Sequence, residues 1–208
     1  MDINQFKQLP IMGILRGIDE KAIEPLTESI IASGLKTVEI TMNTNGAAGL
    51  IRKMAEVSKG RLTIGAGTVL TPDVLKEAID AGATFIVSPT LIKDVVEYCA
   101  KNSIPVFPGA LTPQEIYNAW NMGAAMVKVF PAKFFGPAYF KEVKAPFNNI
   151  ELLACGGVNK DNIKEFFNNK ASAVAFGASI FKQDLIKEGR FEEIAEAITA
   201  LIKAYKAD

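Results

Sequence analysis

Apolar residues follow two alternating rhythms along this chain: short strand-like runs, each followed by a segment with helical spacing. A polar opening predicts a helix over residues 2–8. Strand-like runs then fall at 11–15, 37–41, 62–67, 84–88, 104–107, 125–130, 150–154 and 172–176. Helical patterns occupy 20–33, 46–58, 72–81, 92–101, 113–121, 137–144, 160–168 and 190–205. Thr71-Pro72-Asp73, Thr112-Pro113 and Asn159-Lys160-Asp161 supply helix caps and first-turn prolines. Eight βα units at about 26 residues each predict an α/β fold, a single (β/α)8 TIM barrel over 1–208 with a short N-terminal helix. A doubly wound sheet is the alternative, but the count of eight and the lack of an early G-x-G-x-x-G disfavour it.

One strand breaks its own pattern. In Ala125-Met126-Val127-Lys128-Val129-Phe130-Pro131 the valines point to one face, leaving Met126, Lys128 and Phe130 on the other. An ammonium inside an apolar strand costs several kcal/mol, about what one unpaired buried ion costs, unless it is paired or neutralised. Desolvation lowers the pKa of such an amine, and the neutral amine attacks carbonyl carbon. The plain alternative is a lysine snorkelling from a strand end. In Thr37-Val38-Glu39-Ile40-Thr41 the apolar pair Val38 and Ile40 suits helix packing, which turns Glu39 into the barrel. The second and sixth of eight strands face each other, so Glu39 and Lys128 would meet across the interior. They make either a structural ion pair or a nucleophile with a carboxylate proton shuttle.

Polar or backbone-exposing groups recur at the strand exits, where barrel enzymes place their sites. These are Arg16, Thr41, Thr68, Ser88-Pro89, Pro108-Gly109, Cys155-Gly156-Gly157 and Gly177-Ala178-Ser179. The last two follow adjacent strands, the usual place for a phosphate in such barrels, although a glycine pair is also an ordinary turn.

Composition narrows the chemistry. The chain has 208 residues, 49% hydrophobic, enough for one sizeable core. Its 23 basic and 23 acidic residues cancel, so neither nucleic acid nor an anionic membrane is an expected partner. No apolar run approaches the ~20 residues of a membrane span, and Met1 to Pro10 lacks a signal-peptide pattern. Cys99 and Cys155 have neither metal nor redox spacing, which fits a reducing cytoplasm. There is no histidine. That removes histidine-ligated zinc and Ser-His or Cys-His pairs, and leaves proton transfer to carboxylate, lysine, tyrosine, thiol or water. Carbonyl chemistry here points to a lysine imine rather than a zinc ion, and imine chemistry of itself needs no metal or organic cofactor.

An ordered set of motifs resembles the class I aldolases that cleave 2-keto-3-deoxy-6-phosphogluconate and the phosphogalactonate epimer. The set is Ile14-Leu15-Arg16-Gly17, Val38-Glu39-Ile40-Thr41, Gly65-Ala66-Gly67-Thr68-Val69, Ser88-Pro89, Pro108-Gly109, Val127-Lys128-Val129-Phe130-Pro131, Phe135-Gly136-Pro137 and Gly156-Gly157-Val158. The resemblance covers nearly the whole chain. It implies that Lys128 forms a Schiff base with the C2 ketone and that Glu39 is the general acid/base. It implies further that Thr68 and Pro89 line the pyruvate end, and that Gly157, Gly177 and Ser179 hold the distal phosphate. Thr41, Asn43, Phe130, Cys155 and Gly156 complete the expected substrate-binding set. The products would be pyruvate and glyceraldehyde 3-phosphate; 4-hydroxy-2-oxoglutarate is a second expected substrate, and a homotrimer the expected assembly.

Two positions depart from the phosphogluconate pattern. Asn43 stands where an arginine near the substrate carboxylate is often found, and Cys155 where threonine usually precedes the glycine pair. Arg16 is the candidate replacement for the missing charge, its guanidinium matching a carboxylate in bidentate geometry; a strand-end ion pair is its alternative. Cys155 lies where C4 stereochemistry would be sensed, so the preferred epimer stays open, and it has no neighbouring base to make it a nucleophile. Phe134 and Phe135 wall the pocket or pack a helix. Lys133, the rival lysine, falls in a solvated loop. An isomerase or epimerase with the same phosphate site, and a non-catalytic phosphosugar binder, are the competing functions.

Overall fold

The computed structural model describes residues 1–207. Helices α1 (Ile3–Gln8), α2 (Glu20–Ala32), α3 (Ala47–Ser58), α4 (Pro72–Asp80), α5 (Lys93–Lys101), α6 (Pro113–Asn121), α7 (Ala138–Lys144), α8 (Ile163–Asn168), α9 (Gln183–Lys187) and α10 (Phe191–Lys206) alternate with strands. The strands are β1 (Ile11–Leu15), β2 (Thr37–Thr41), β3 (Thr63–Gly67), β4 (Ile86–Val87), β5 (Val106–Phe107), β6 (Gly109–Ala110), β7 (Val127–Val129), β8 (Leu152–Cys155) and β9 (Ala173–Phe176). All pairings are parallel, in the order β5-β4-β3-β2-β1-β9-β8-β7-β6.

The two ends of that order are contiguous in the chain, which curls the sheet into a nearly closed barrel. Only Pro108 separates β5 from β6, and proline has no N–H to donate to a ladder. The residues before it pair with β4 (Ile86↔Val106), those after it with β7 (Gly109↔Lys128), and the Pro108 carbonyl accepts from Lys128 N at 2.9 Å. The expected strand 104–107 therefore corresponds to β5 alone, and the extended segment runs on past Pro108 into β6.

Other boundaries move for local reasons. Thr71 accepts from Val74 N, and Thr112 forms a full capping box with Glu115, so α4 and α6 begin where expected. Before α8, Asn159 Oδ1 instead accepts from Asp161 N and Asn162 N, closing a turn that delays the helix to Ile163. The short helix α9 lies in a stretch with no helical expectation.

Strand alternation sorts the apolar residues into two layers. Val38, Ile40, Val127, Val129, Leu152 and Ala154 pack outward with the helices. Met12, Phe85, Phe107, Met126, Leu153, Cys155 and Ala175 fill the barrel interior. Asp2 caps α1, whose Phe6 plugs the N-terminal mouth with its ring edge-on to Phe107 at 6.0 Å; Phe107 in turn meets Phe85 at 5.8 Å. Gly65 makes room for this stack, since a Cβ there would lie 2.5 Å from the Phe85 ring.

Candidate active site

Lys128 points into the interior from β7 and is 6% exposed. Its Nζ lies 5.4 Å from the centroid of the Phe130 ring, a cation–π contact at the strand exit. Gly109, its partner on β6, is obligatory: a Cβ there would strike the Pro89 carbonyl, so its absence lets the loop after β4 close against the lysine strand.

Glu39 projects inward from β2 and is 1% exposed. Its carboxylate leans over Gly67, where a Cβ would come within 2.7 Å of Glu39 Cδ. Its Oε2 has no hydrogen-bond partner. Burial pushes this carboxyl above the usual range, against the positive charge of Lys128 and then of Arg16, which pull it down. The ion pairs of the described residues all lie at the surface, and Glu39–Lys128 is not one of them. The two groups thus share one interior without closing the tight structural salt bridge that was the alternative reading.

Beside the pair opens a cleft of about 370 Å³ walled by Arg16, Phe130, Lys133, Cys155, Gly156, Gly157, Gly177 and Ser179, with Ile14 and Phe176 among the apolar walls. Cys155 joins the cleft to the pair. Burial pushes its thiol up, and it feels the opposing charges of Lys128 and Glu39. Gly156 and Gly157 have φ of 101° and 84°, in the left-handed region, and a Cβ on Gly157 would collide with Lys133 Cβ at 2.7 Å. Asn162 Nδ2 donates to the Gly157 carbonyl at 2.9 Å and Ser179 Oγ to that of Val158 at 3.2 Å, tying the two glycine-bearing exits together. Among the described residues, the N–H groups of Gly157, Gly177, Ala178 and Ser179 donate to no protein acceptor and remain free for an anion. Lys133 is exposed, with its Nζ 5.0 Å from the Phe134 ring centroid.

The remaining expected residues lie outside the cleft walls. Thr68 sits at the β3 exit with φ of +56°, a costly conformation for a β-branched side chain, and its Oγ1 accepts from Arg16 Nη2 at 3.4 Å. Pro89 is half-buried against Gly109. Asn43 is exposed. Thr41 is fully buried, and its hydroxyl is shared with Thr44 Oγ1 at 3.0 Å, which accepts from Gly17 N at 3.0 Å. Thr41, one of the expected substrate-binding residues, thus also ties the first two strand exits together. Gly67 and Gly109 fall in the motifs already named, but their role as spacers against Glu39 and Pro89 did not show there. Thr44 and Gln183 also shape the site and carried no sequence signal.

The family model described as KDPG and KHG aldolase matches residues 3–197. A similar curated protein is the 2-dehydro-3-deoxy-6-phosphogalactonate aldolase of Escherichia coli K12, 30% identical over 201 residues, 96% of each chain. A solved structure described as native KDPGal superposes with a TM-score of 0.90 at 29% identity, covering 96% of this chain and 95% of that one. Another is KDPG aldolase from Legionella pneumophila, with pyruvate captured as a covalent carbinolamine intermediate (TM-score 0.86, 27% identity, 92% and 93% covered). A barrel with a lysine and a carboxylate at one mouth is the framework of a lyase. This chain belongs to the KDPG and KHG aldolase family, and it is an aldolase.

Proposed function

We propose that this aldolase reversibly cleaves a 2-keto-3-deoxy-6-phospho-sugar acid, of the phosphogluconate or phosphogalactonate type, to pyruvate and glyceraldehyde 3-phosphate. The observation that carries this is the buried Lys128 facing a buried Glu39 whose Oε2 has no partner. Lys128 Nζ adds to the C2 ketone, and the carbinolamine loses water to form a protonated imine. Glu39, directly or through water, takes the C4 hydroxyl proton as the C3–C4 electron pair moves toward the imine, and glyceraldehyde 3-phosphate leaves. The enamine is protonated at C3, and water releases pyruvate from Lys128. A carboxyl raised by burial suits both halves of this proton shuttle.

In the same reading Arg16 holds the substrate carboxylate. Thr68, Pro89 and Phe130 border the pyruvate end, and Cys155 and Gly156 lie near C4. The free N–H groups at Gly157, Gly177 and Ser179 receive the phosphate. Asn43 is a weaker candidate, since it carries no charge. The carbinolamine in the Legionella relative supports the imine route, and 4-hydroxy-2-oxoglutarate, whose cleavage uses the same imine, is a second proposed substrate.

We read the split segment around Pro108 as one strand position, which makes the molecule a single (β/α)8 domain. We also place the enzyme in the cytoplasm and in the Entner–Doudoroff pathway. A homotrimer is the proposed assembly, and the exposed Phe134 and Phe135 offer apolar surface for it.

Borohydride reduction in the presence of pyruvate, followed by peptide mass mapping, tests the chemistry. A stable adduct on Lys128 that disappears in Lys128→Ala is the expected result. Absence of an adduct on the folded protein, or an adduct on Lys133, would overturn the assignment.

A further inference from the structure

Arg16 is exposed, one residue beyond the end of β1. Its backbone is gripped from two sides. Gly17, with φ of +63°, donates its N–H to Thr44. On the other side Gln183 Nε2 donates to the Arg16 carbonyl at 2.6 Å, across 167 residues of chain.

Gln183 is delivered there by a rigid anchor. Two residues earlier, Phe181 is buried, stacks on Phe176 of β9 with centroids 5.3 Å apart, and lies over Gly13 of β1. A Cβ on Gly13 would already be 3.0 Å from the Phe181 ring, so the glycine sets how closely this segment rides on the barrel wall. Ile180 N and Phe181 N both donate to the Gly177 carbonyl, fixing the same segment to the glycine-bearing exit of β9. One short stretch therefore carries the Gly177–Ser179 end of the cleft and, through Gln183, the Arg16 end.

We infer that Gln183 is a positioning residue that holds the Arg16 backbone so that the guanidinium reaches Thr68 and the mouth of the cleft. In this chain, with Asn43 uncharged, Arg16 is the cation whose placement matters, and the Asn43–Thr44 loop grips it from the far side. The inference rests on the reading that Arg16 binds the substrate carboxylate.

The test is steady-state cleavage of 2-keto-3-deoxy-6-phosphogalactonate by wild type, Gln183→Met, Arg16→Ala and the double variant, with urea midpoints measured in parallel. Methionine keeps the length of the side chain and removes the donor. Gln183→Met should raise KM about threefold to tenfold, the range for one lost hydrogen bond, with kcat and the urea midpoint near wild type. In the Arg16→Ala background it should raise KM no further. If Arg16→Ala raises KM but Gln183→Met does not, or if the two effects multiply, the positioning role is wrong and the carboxylate reading stands. If Arg16→Ala leaves KM unchanged, the carboxylate reading falls and this inference falls with it.

Discussion

At the N-terminal end of the barrel interior, Phe6, Phe85 and Phe107 meet edge to face in a stack with no polar side chain. At the C-terminal end the same interior holds Glu39, Lys128 and Cys155, with glycines where side chains would fill space. The first arrangement is favourable on every count: apolar burial is worth roughly 1.5–3 kcal/mol for each large side chain. The second is costly, because a buried carboxylate oxygen without a partner forfeits its hydration and gains no bond in exchange. Such an arrangement persists because the packed end over-determines the fold. The molecule separates stability from chemistry along one axis, and substitutions at the two ends should separate the same way.

The largest expected effect on catalysis short of removing Lys128 is at Glu39. Glu39→Gln keeps the shape and removes the proposed proton acceptor, so kcat should fall by about 10²- to 10⁴-fold, the range for a general acid/base. The same change should stabilise the protein at neutral pH, because it removes a carboxyl whose ionisation burial penalises in the folded state alone. Its pH dependence has a definite sign. The folded carboxyl holds its proton to higher pH than the unfolded one, which releases it near pH 4.3 (about the model-peptide value). The wild type therefore loses stability from this group as pH rises from there through the folded pKa, and Glu39→Gln should flatten that fall. Urea midpoints across that range measure it. A variant both inactive and less stable would merge the two ends.

Phe6→Ala probes the opposite end. Truncating a buried phenylalanine costs about 3–5 kcal/mol through lost transfer energy and the cavity left behind. The urea midpoint should drop accordingly, while kcat and KM measured under folded conditions stay near wild type. A fall in kcat comparable to that of Glu39→Gln would show that the plug and the site are one unit.

Gly67→Ala tests whether empty space is itself part of the site. The Gly67 backbone is not in the left-handed region, so the conflict is the methyl against the Glu39 carboxylate, Oε1 first and then Cδ at 2.7 Å. Overpacking of this kind costs about 1–3 kcal/mol. Displacing the carboxylate should lower kcat by about tenfold, the scale expected when a catalytic group moves from its place. In a Glu39→Ala background the substitution should cost nothing further in rate.

Much of the costly end could be read in advance, because it breaks patterns. A lysine among valines and a glutamate between Val38 and Ile40 are visible by alternation, and the parity expected for both holds in the two packed layers. The glycine-bearing exits of β8 and β9 were legible by position. What escaped depends on distance across the barrel. Pro108 divides its strand because its two sides pair with different neighbours, a fact of closure. The tie of Thr41 to Thr44 depends on how the loop after β2 folds back and has no pattern in the sequence. Gln183 sits in a short helix with no sequence signal and acts on a carbonyl 167 residues away.

Thr68 gives the smallest effect and the sharpest separation of the two roles. A β-branched residue at φ of +56° is held there at a cost of about 1–3 kcal/mol, and only the surrounding structure keeps it so. Glycine adopts that conformation freely but adds entropy to the unfolded chain, which offsets part of the gain. Thr68→Gly should thus raise stability by about 1 kcal/mol, the difference between those opposing effects. It also removes the hydroxyl that accepts from Arg16 Nη2 at 3.4 Å. That contact is long, so its loss should raise KM only about twofold to threefold, the low end for a hydrogen bond. A variant that gains stability and loses affinity shows strain retained for the site. If Thr68→Gly loses stability instead, the residue belongs with the packed end, and the boundary between the two regions lies above Thr68.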